Sequence, residues 1–264
     1  MSYSFIGLGN MASAIIRGIV ASDASLTTKI IGFNRTATKT EQLAAETAIQ
    51  PVTTVEEALR ADLIFFGVKP HQLEELAPTL KGQFKPHQLI ISMAAGTSIE
   101  TLQQLFDHSY VMRIMPNVNA AVHHSTTAYA VAKNVPTALT EEAVTLLQTT
   151  GSMIELAEEQ FDIFSAIAGA SPAFHYMYID ALARAAVKEG MPKNIALQIA
   201  ADAVLGSAKM VLESQTHPIE LVDQVCSPGG TTIEGVMALK ANQFEHAVHE
   251  AVHAVIQKDQ SFQS

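Results

Sequence analysis

Short apolar runs alternate with helical patterns through the first part of the chain. Residues 63–66 (LIFF) are continuously apolar, as is typical of a strand buried on both faces of a parallel sheet, and residues 89–93 (LIISM) are similar. Further strands are predicted at residues 3–6, 29–33 and 111–115, with weaker candidates at 127–132 and 153–156; helical patterns occupy 11–19, 41–46 and 54–59. Alternation of this kind predicts an α/β fold with a doubly wound, mostly parallel sheet.

The pattern changes near residue 157, after which only helical periodicity is found. The predicted helices are residues 173–190, 193–213, 219–225, 231–242 and 244–259. Apolar side chains occupy more than one face of these helices, which is typical of half of an oligomer core. We therefore predict two domains, residues 1–156 with the sheet and residues 157–264 without strands.

The composition limits which kinds of molecule the protein can bind and in which cellular compartment it is expected. Of 264 residues, 48% are hydrophobic and the net charge is 16 − 26 = −10, so neither nucleic acid nor an anionic membrane attracts the chain as a whole. The single cysteine, Cys226, excludes an intrachain disulfide and a cysteine zinc cage. The opening MSYSFIGLGN lacks the pattern of a signal peptide, and no apolar run reads as long enough to span a bilayer. We expect a soluble cytoplasmic protein.

A glycine motif follows the first predicted strand. Residues 7–12 (GLGNMA) read G-x-G-x-x-A and open the first helix. Gly7 permits a tight turn, Gly9 lets the backbone approach a pyrophosphate, and Ala12 allows the helix to lie close to the strand. An ordinary strand–helix turn is the alternative. Because a strand precedes the motif and a helix follows it, we predict a Rossmann-like dinucleotide site.

The segment after the second strand indicates which dinucleotide is bound. Sites for NAD usually place an acid here, but none occurs between Asp23 and Glu41, and Arg35 and Lys39 offer cations instead. An arginine suits a 2′-phosphate, so NADPH is favoured over NADH; a solvated basic loop is the alternative. Residues 67–70 and 92–96 also follow strands. The residues predicted to bind the cofactor are Ile6, Gly7, Leu8, Gly9, Asn10, Met11, Asn34, Arg35, Val68, Lys69, Pro70, Met93, Ala94 and Ala95.

Five segments together resemble the pyrroline-5-carboxylate reductase family. They are residues 5–12, 68–70, 92–96, 113–117 (RIMPN) and, as the most specific one, 227–233 (SPGGTTI). The resemblance implies NAD(P)H-dependent reduction of 1-pyrroline-5-carboxylate to L-proline, the last step of proline biosynthesis. It also implies a Rossmann domain and a helical dimerisation domain, with helices interleaved in a homodimer that often assembles into larger rings.

The resemblance assigns the substrate to the turn at residues 227–232. A proline and two glycines before a helix, predicted to begin near Ile233, leave backbone N–H groups that can bind a small carboxylate; an ordinary capping turn is the alternative. The resemblance implies substrate binding by Ser227, Gly230, Thr231 and Thr232. Thr232 is the catalytic candidate, as the hydrogen-bond partner of the imine nitrogen. Glu158 is a candidate contact on the nitrogen side of the ring, with a solvated acid as the alternative.

Two segments depart from the family pattern, residues 118–125 and 168–171. They motivate the hypothesis of a catalytically silent NADP(H)-binding sensor; a related imine or β-hydroxyacid oxidoreductase is a further alternative. His246, His249 and His253 share one face of the last predicted helix, but the spacing favours an exposed polar face. No metal site is predicted.

Overall fold

One sheet organises the first part of the chain. The computed structural model describes residues 1–108 and 110–261, and within them the sheet has eight strands. They are β1 (Tyr3–Ile6), β2 (Ile30–Phe33), β3 (Gln50–Pro51), β4 (Leu63–Phe66), β5 (Leu89–Ser92), β6 (Val111–Met115), β7 (Ser125–Val131) and β8 (Gly151–Glu155). The spatial order is β3-β2-β1-β4-β5-β6-β7-β8, and only β6 and β7 pair antiparallel. The first six strands have the order of a dinucleotide-binding doubly wound sheet, which confirms the predicted fold class.

Helices cover both faces of this sheet. They are α1 (Asn10–Ser22), α2 (Ala37–Thr47), α3 (Val55–Ala58), α4 (Pro70–Leu80), α5 (Ile99–Phe106), α6 (Thr137–Gln148) and α7 (Phe161–Phe164). Shorter helical segments are the 3₁₀ turns Ala24–Lys29, Val118–Val122 and Glu158–Gln160, and a π-helix at Ser165–Ala170. Phe65 packs into one core and Phe66 into the other, because successive side chains of a strand point to opposite faces. This explains why β4 is apolar at every position.

The direction of β7 is decided by the segment before it. The 3₁₀ turn Val118–Val122 packs against α1, and His123 at its end has a positive φ of 61°. The chain thereby reverses and β7 returns antiparallel to β6, with Met115 opposite Ala128. The predicted strands at 127–132 and 153–156 are present, but each begins two residues earlier.

The chain divides into two compact units. The first comprises Met1–Gly169 together with the end of α12 (Phe244–Gln260) from Val255 onward, and the second comprises Ala170–Ala254. The predicted boundary after residue 156 lies before α7. Phe161 and Phe164 of this helix are buried against Ala128 and Ala130 of β7, which is why the segment belongs to the first unit.

The second unit is helical throughout. Its remaining helices are α8 (Ser171–Lys188), α9 (Lys193–Ser214), α10 (Pro218–Val225) and α11 (Thr231–Ala241). Helices α8 and α9 meet at small side chains, since Ala183, Ala196 and Ala200 form their shared buried cluster. Of residues 171–261, all described, none is in a strand, as predicted.

Helix α9 corrects one expectation from the sequence. Its length and its mean hydropathy of 1.5 would suffice to cross a membrane, so the expectation that no run is long enough is wrong by those two measures. Only 11% of that stretch is buried within the chain. The length of this apolar run was underestimated from the sequence because Asp202 and Lys209 interrupt it.

Candidate active site

The turn between β1 and α1 has the geometry of a phosphate-binding turn. Gly7 has a φ of +92°, and its N–H donates to the Phe33 carbonyl at 2.9 Å. A Cβ on Gly7 would lie 2.5 Å from Val68 Cγ1, so only glycine fits. Gly9 is the N-cap of α1, where no side chain caps the helix and no acid lies in the first turn. The free N–H groups and the helix dipole therefore favour an anion.

The loop after β4 interlocks with this turn through small residues. The Gly67 N–H donates to the Ile6 carbonyl at 2.8 Å. A Cβ on Gly67 would lie 2.5 Å from the Gly7 carbonyl oxygen and 2.9 Å from Ala12 Cβ. Gly67 was not among the predicted cofactor residues, although a glycine directly after a buried strand was a visible indication. Three small residues thus let two turns approach each other.

Asn34 joins the end of β2 to the glycine turn. Its Oδ1 accepts from the Leu8 N–H at 3.0 Å, and its Nδ2 donates to the Thr36 carbonyl at 3.3 Å. The side chains of Arg35 and Lys39 are exposed beside it, and the first turn of α2 contains no acid. This edge therefore offers positive charge to a ligand at the end of β2.

The loops after β4 and β5 complete the same edge. Lys69 is the exposed N-cap residue of α4, with Pro70 in the first helical position. The Met93 N–H donates to the Phe66 carbonyl at 3.1 Å, and the Ala94 N–H donates to Ser92 Oγ at 3.2 Å. The residues predicted to bind the cofactor therefore meet at the carboxyl ends of β1, β2, β4 and β5, where open α/β sheets bind ligands.

Glu158 lies in the first unit and is not a solvated acid. Its Oε1 accepts from Arg113 Nη1 at 3.1 Å and from the Ile99 N–H at 3.0 Å. The Arg113 side chain is only 6% exposed, and its guanidinium lies 4.3 Å from the centre of the Phe161 ring. Direct contact between Glu158 and substrate stays a prediction. Arg113 was missed as a candidate, although an arginine within a buried strand indicates a partner.

Asn117 links the two segments that depart from the family pattern. It is 4% exposed; its Nδ2 donates to the Ala168 carbonyl in the π-helix at 3.0 Å, and its Oδ1 accepts from the Asn119 N–H at 3.1 Å. Such π-helical turns often lie at functional sites. The altered segments are therefore joined through the Asn117 side chain, and no sequence pattern predicted that link.

The predicted substrate turn lies in the second unit. Gly229 has a φ of +70°, the Gly230 N–H donates to the Ser227 carbonyl at 3.0 Å, and a Cβ on Gly230 would overlap Ser227 Oγ. Helix α11 begins at Thr231, as the helical pattern at 231–242 predicts and two residues before Ile233, and no side chain caps it. The hydroxyls of Ser227, Thr231 and Thr232 belong to exposed residues around this helix N-terminus. The turn therefore combines free N–H groups with hydroxyl donors, which suits a carboxylate.

The histidines of α12 do not form a metal site. His246, His249 and His253 are exposed, and across residues 1–108 and 110–261 no group of three His, Cys, Asp or Glu side chains could hold a metal ion.

A glycine turn that leads from β1 into the N-terminus of α1, in a sheet with this strand order, defines a dinucleotide-binding fold. Two family models match the chain. Residues 2–96 match the family described as NADP oxidoreductase coenzyme F420-dependent, and residues 158–262 match pyrroline-5-carboxylate reductase dimerisation. The second unit therefore carries a dimerisation domain, which accounts for its exposed apolar side chains.

Relatives of known activity match over nearly the whole chain. Pyrroline-5-carboxylate reductase of Escherichia coli is 36% identical over 97% of this chain and 96% of its own, and enzyme 1 of Bacillus subtilis is 34% identical over 94% and 85%. The crystal structure of the Streptococcus pyogenes enzyme has a TM-score of 0.88 at 36% identity, covering 99% and 98% of the two chains. That of the Plasmodium falciparum enzyme with NADP bound has a TM-score of 0.87 at 28% identity, covering 100% and 98%. The chain belongs to the pyrroline-5-carboxylate reductase family.

Proposed function

We propose that this protein reduces 1-pyrroline-5-carboxylate to L-proline with NADPH as the hydride donor, the last step of proline biosynthesis. The observation that carries the proposal is the near-full-length relationship to pyrroline-5-carboxylate reductases. The glycine turn at residues 7–12 and the turn at residues 227–232 support it, because each leads into a helix N-terminus that no side chain caps and that can therefore bind an anion.

The chemistry asks the protein mainly to hold two molecules. NADPH, when bound, supplies a hydride to C5 of the imine, which is electrophilic once its nitrogen is protonated. The N-terminus of α1, at Gly9, Asn10 and Met11, holds the pyrophosphate. The turn with Ser227, Thr231 and Thr232 holds the substrate carboxylate. The Thr232 hydroxyl hydrogen-bonds the imine nitrogen and so orients the ring for hydride transfer.

The preference for NADPH is proposed from the end of β2. Arg35 and Lys39 are exposed there, and an arginine can bind a 2′-phosphate through two hydrogen bonds. Asn34 accepts from the Leu8 N–H and donates to the Thr36 carbonyl, so it joins the segment that carries these cations to the glycine turn. We expect NADH to bind more weakly at this edge, since its 2′-hydroxyl carries no charge.

The assembly is proposed to be a cytoplasmic homodimer with interleaved second-unit helices, and rings of such dimers. Met177 of α8 and Leu212 of α9 are 73% and 80% exposed within one chain. Large apolar side chains at that exposure are normally covered by protein. A second copy supplies that cover in the proposed dimer, and the dimerisation domain supports it.

The test follows NADPH oxidation and proline formation with freshly prepared DL-1-pyrroline-5-carboxylate. We expect turnover by the native protein and a roughly 10²-fold lower kcat/KM for Thr232→Ala, as for loss of one hydrogen-bonding group aimed at the reacting centre. The dissociation constant of NADPH should not change. Thr79→Ala, at an exposed threonine of α4, is the matched control and should retain native kinetics.

Two outcomes would contradict the proposal. Native protein that binds NADPH but turns over no imine would favour the sensor hypothesis. Turnover of β-hydroxyacids or other imines in its place would favour a related oxidoreductase.

A further inference from the structure

One carboxylate oxygen joins three elements of the first unit. Glu158 Oε1 accepts from Arg113 on β6 and from the backbone N–H of Ile99, the first residue of α5. Glu158 itself begins the 3₁₀ turn after β8. The carboxylate therefore acts as a helix cap supplied from 59 residues further along the chain. The local cap of α5, Ser98 Oγ, serves the Thr101 N–H instead, so Glu158 satisfies a donor that Ser98 leaves free.

Burial makes this contact a rigid one. The Arg113 side chain is 6% exposed and stacks on Phe161, which is fully buried. A guanidinium in such surroundings requires a carboxylate, and removing one partner of a buried pair leaves the other charge uncompensated. Glu158, at 28% exposure, is the one carboxylate that the structure places within ion-pair distance of Arg113 among the described residues. The position of Glu158 is thus fixed by the core on one side.

The cap lies at the end of a loop that the proposed function uses. Residues 93–98 connect β5 to α5 and include Met93, Ala94 and Ala95, the predicted cofactor contacts. The β5 end of this loop is held by the bonds from Met93 and Ala94 described above. Arg113 is also the direct neighbour of Ser92 in the register of β5 and β6. The α5 end of the loop is held by Glu158.

We propose that Glu158 is a positioning residue that fixes the loop at residues 93–98 through the Ile99 N–H, with Arg113 fixing Glu158 in turn. This inference rests on the proposed function, because it assigns the loop to the nicotinamide. Its effect is on the placement of the hydride donor rather than on the affinity for the imine.

Glu158→Gln tests the carboxylate while preserving its shape. We expect kcat to fall roughly tenfold or more, because small misplacements of reacting groups cost up to about 10²-fold in rate. The KM for 1-pyrroline-5-carboxylate should stay within about twofold, and the isotope effect with deuterated NADPH should rise as hydride transfer becomes slower. Glu159→Gln, an exposed neighbouring glutamate, is the matched control and should behave as native. A raised substrate KM at native kcat would overturn the inference and assign Glu158 to the substrate.

Ile99→Pro tests the cap without touching the ion pair. Proline removes the N–H that Glu158 accepts, yet it suits the first position of a helix, and Ser98 before it is already extended at φ −71° and ψ 162°. Ile99→Val has a side chain of equal carbon number and keeps the N–H. We expect the lower kcat and higher isotope effect in the proline variant alone. Equal kinetics in the two variants, with both folded by circular dichroism, would overturn the inference.

The two proposals fail in different measurements. Lack of turnover by the native protein defeats the proposed function. The inference is then decided by the fluorescence anisotropy of bound NADPH, whose nicotinamide is the emitting group. Lower anisotropy in Glu158→Gln and Ile99→Pro than in their controls supports the positioning role, and equal anisotropy refutes it.

Discussion

At the scale of the residue, small side chains set how closely one turn approaches another. Gly7 needs its positive φ and has no room for a Cβ beside Val68. Gly67 and Ala12 lie against the same turn. The motif made Gly7 and Ala12 recognisable from the sequence. The position of Gly67 directly after a buried strand was a local indication, but its contact with the Gly7 turn depends on two strands that are far apart in the chain.

Replacement of Arg35 tests the cofactor preference. Arg35→Ala should raise the KM for NADPH roughly 10- to 100-fold, as expected for the loss of charged hydrogen bonds, and should leave the KM for NADH nearly unchanged. Arg60→Ala, at an exposed arginine after α3, is the control. Equal changes with both cofactors would contradict the assignment of Arg35 to the 2′-phosphate.

The buried Tyr3 hydroxyl should make the free energy of unfolding fall at alkaline pH. Tyr3 is 4% exposed and donates to Glu142 at 2.6 Å, so burial first and then the carboxylate raise the pKa of Tyr3 above 10. Because the unfolded pKa is near 10, the folded state holds this proton more tightly. The stabilisation is complete below about pH 10 and is lost as the pH rises further. The free energy of unfolding of native protein should fall more steeply above that pH than that of Tyr3→Phe; parallel curves would refute this.

At the scale of the element, burial on both faces made the strands recognisable. Residues of β4 and β5 are fully buried, and the apolar runs at residues 63–66 and 89–91 indicated their positions. The helices α4, α5 and α6, which bury two to four side chains each, were not delimited from the sequence. The antiparallel pairing of β7 could not be inferred either, since the reversal depends on packing of the turn Val118–Val122 against α1.

Because the turn Val118–Val122 packs against α1, we expect replacement of Gly18 in that helix by alanine to destabilise the protein. Alanine normally stabilises a helix interior relative to glycine by about 1 kcal/mol. A Cβ on Gly18 of α1 would overlap the Ala120 carbonyl oxygen and lie 3.0 Å from Thr150 Cγ2. Gly18→Ala should therefore lower the free energy of unfolding by about 1–3 kcal/mol in denaturant titration. Ser22→Ala, at the exposed end of the same helix, should change it by less than about 0.5 kcal/mol. A higher free energy of unfolding for the Gly18→Ala variant would contradict this prediction and show that the turn Val118–Val122 can move to accommodate the Cβ.

At the scale of the whole molecule, the two units bury their apolar side chains differently. The first has two extensive buried cores, one on each face of the sheet. The buried cluster of the second consists of three alanines, with Ile179 and Ala186 against them. A unit of that kind lacks the buried area that a separate domain needs, which agrees with its match to a dimerisation domain.

A charge on the exposed apolar surface should separate the proposed dimer. Met177→Glu places a carboxylate at a side chain that is 73% exposed in one chain but covered in the dimer. We expect a lower mass by light scattering and loss of activity at equal protein concentration. Thr79→Glu, on α4 of the first unit, should leave both unchanged. A native mass for Met177→Glu would place the interface elsewhere on the second unit.

The substrate turn was predicted from the family resemblance and stays a prediction, but the sequence by itself determined the fold class, the glycine turn after β1 and the positions of all five C-terminal helices. These features depend on periodicity and on glycine spacing, which are local properties. Only the tertiary structure decided the partners of Arg113, Glu158 and Asn117, and the attachment of α7 to the first unit. The physical reason is that a buried ion pair or a capped N–H needs groups from distant parts of the chain. Which of these groups meet depends on the folded arrangement of the strands and helices, and local sequence patterns do not specify it.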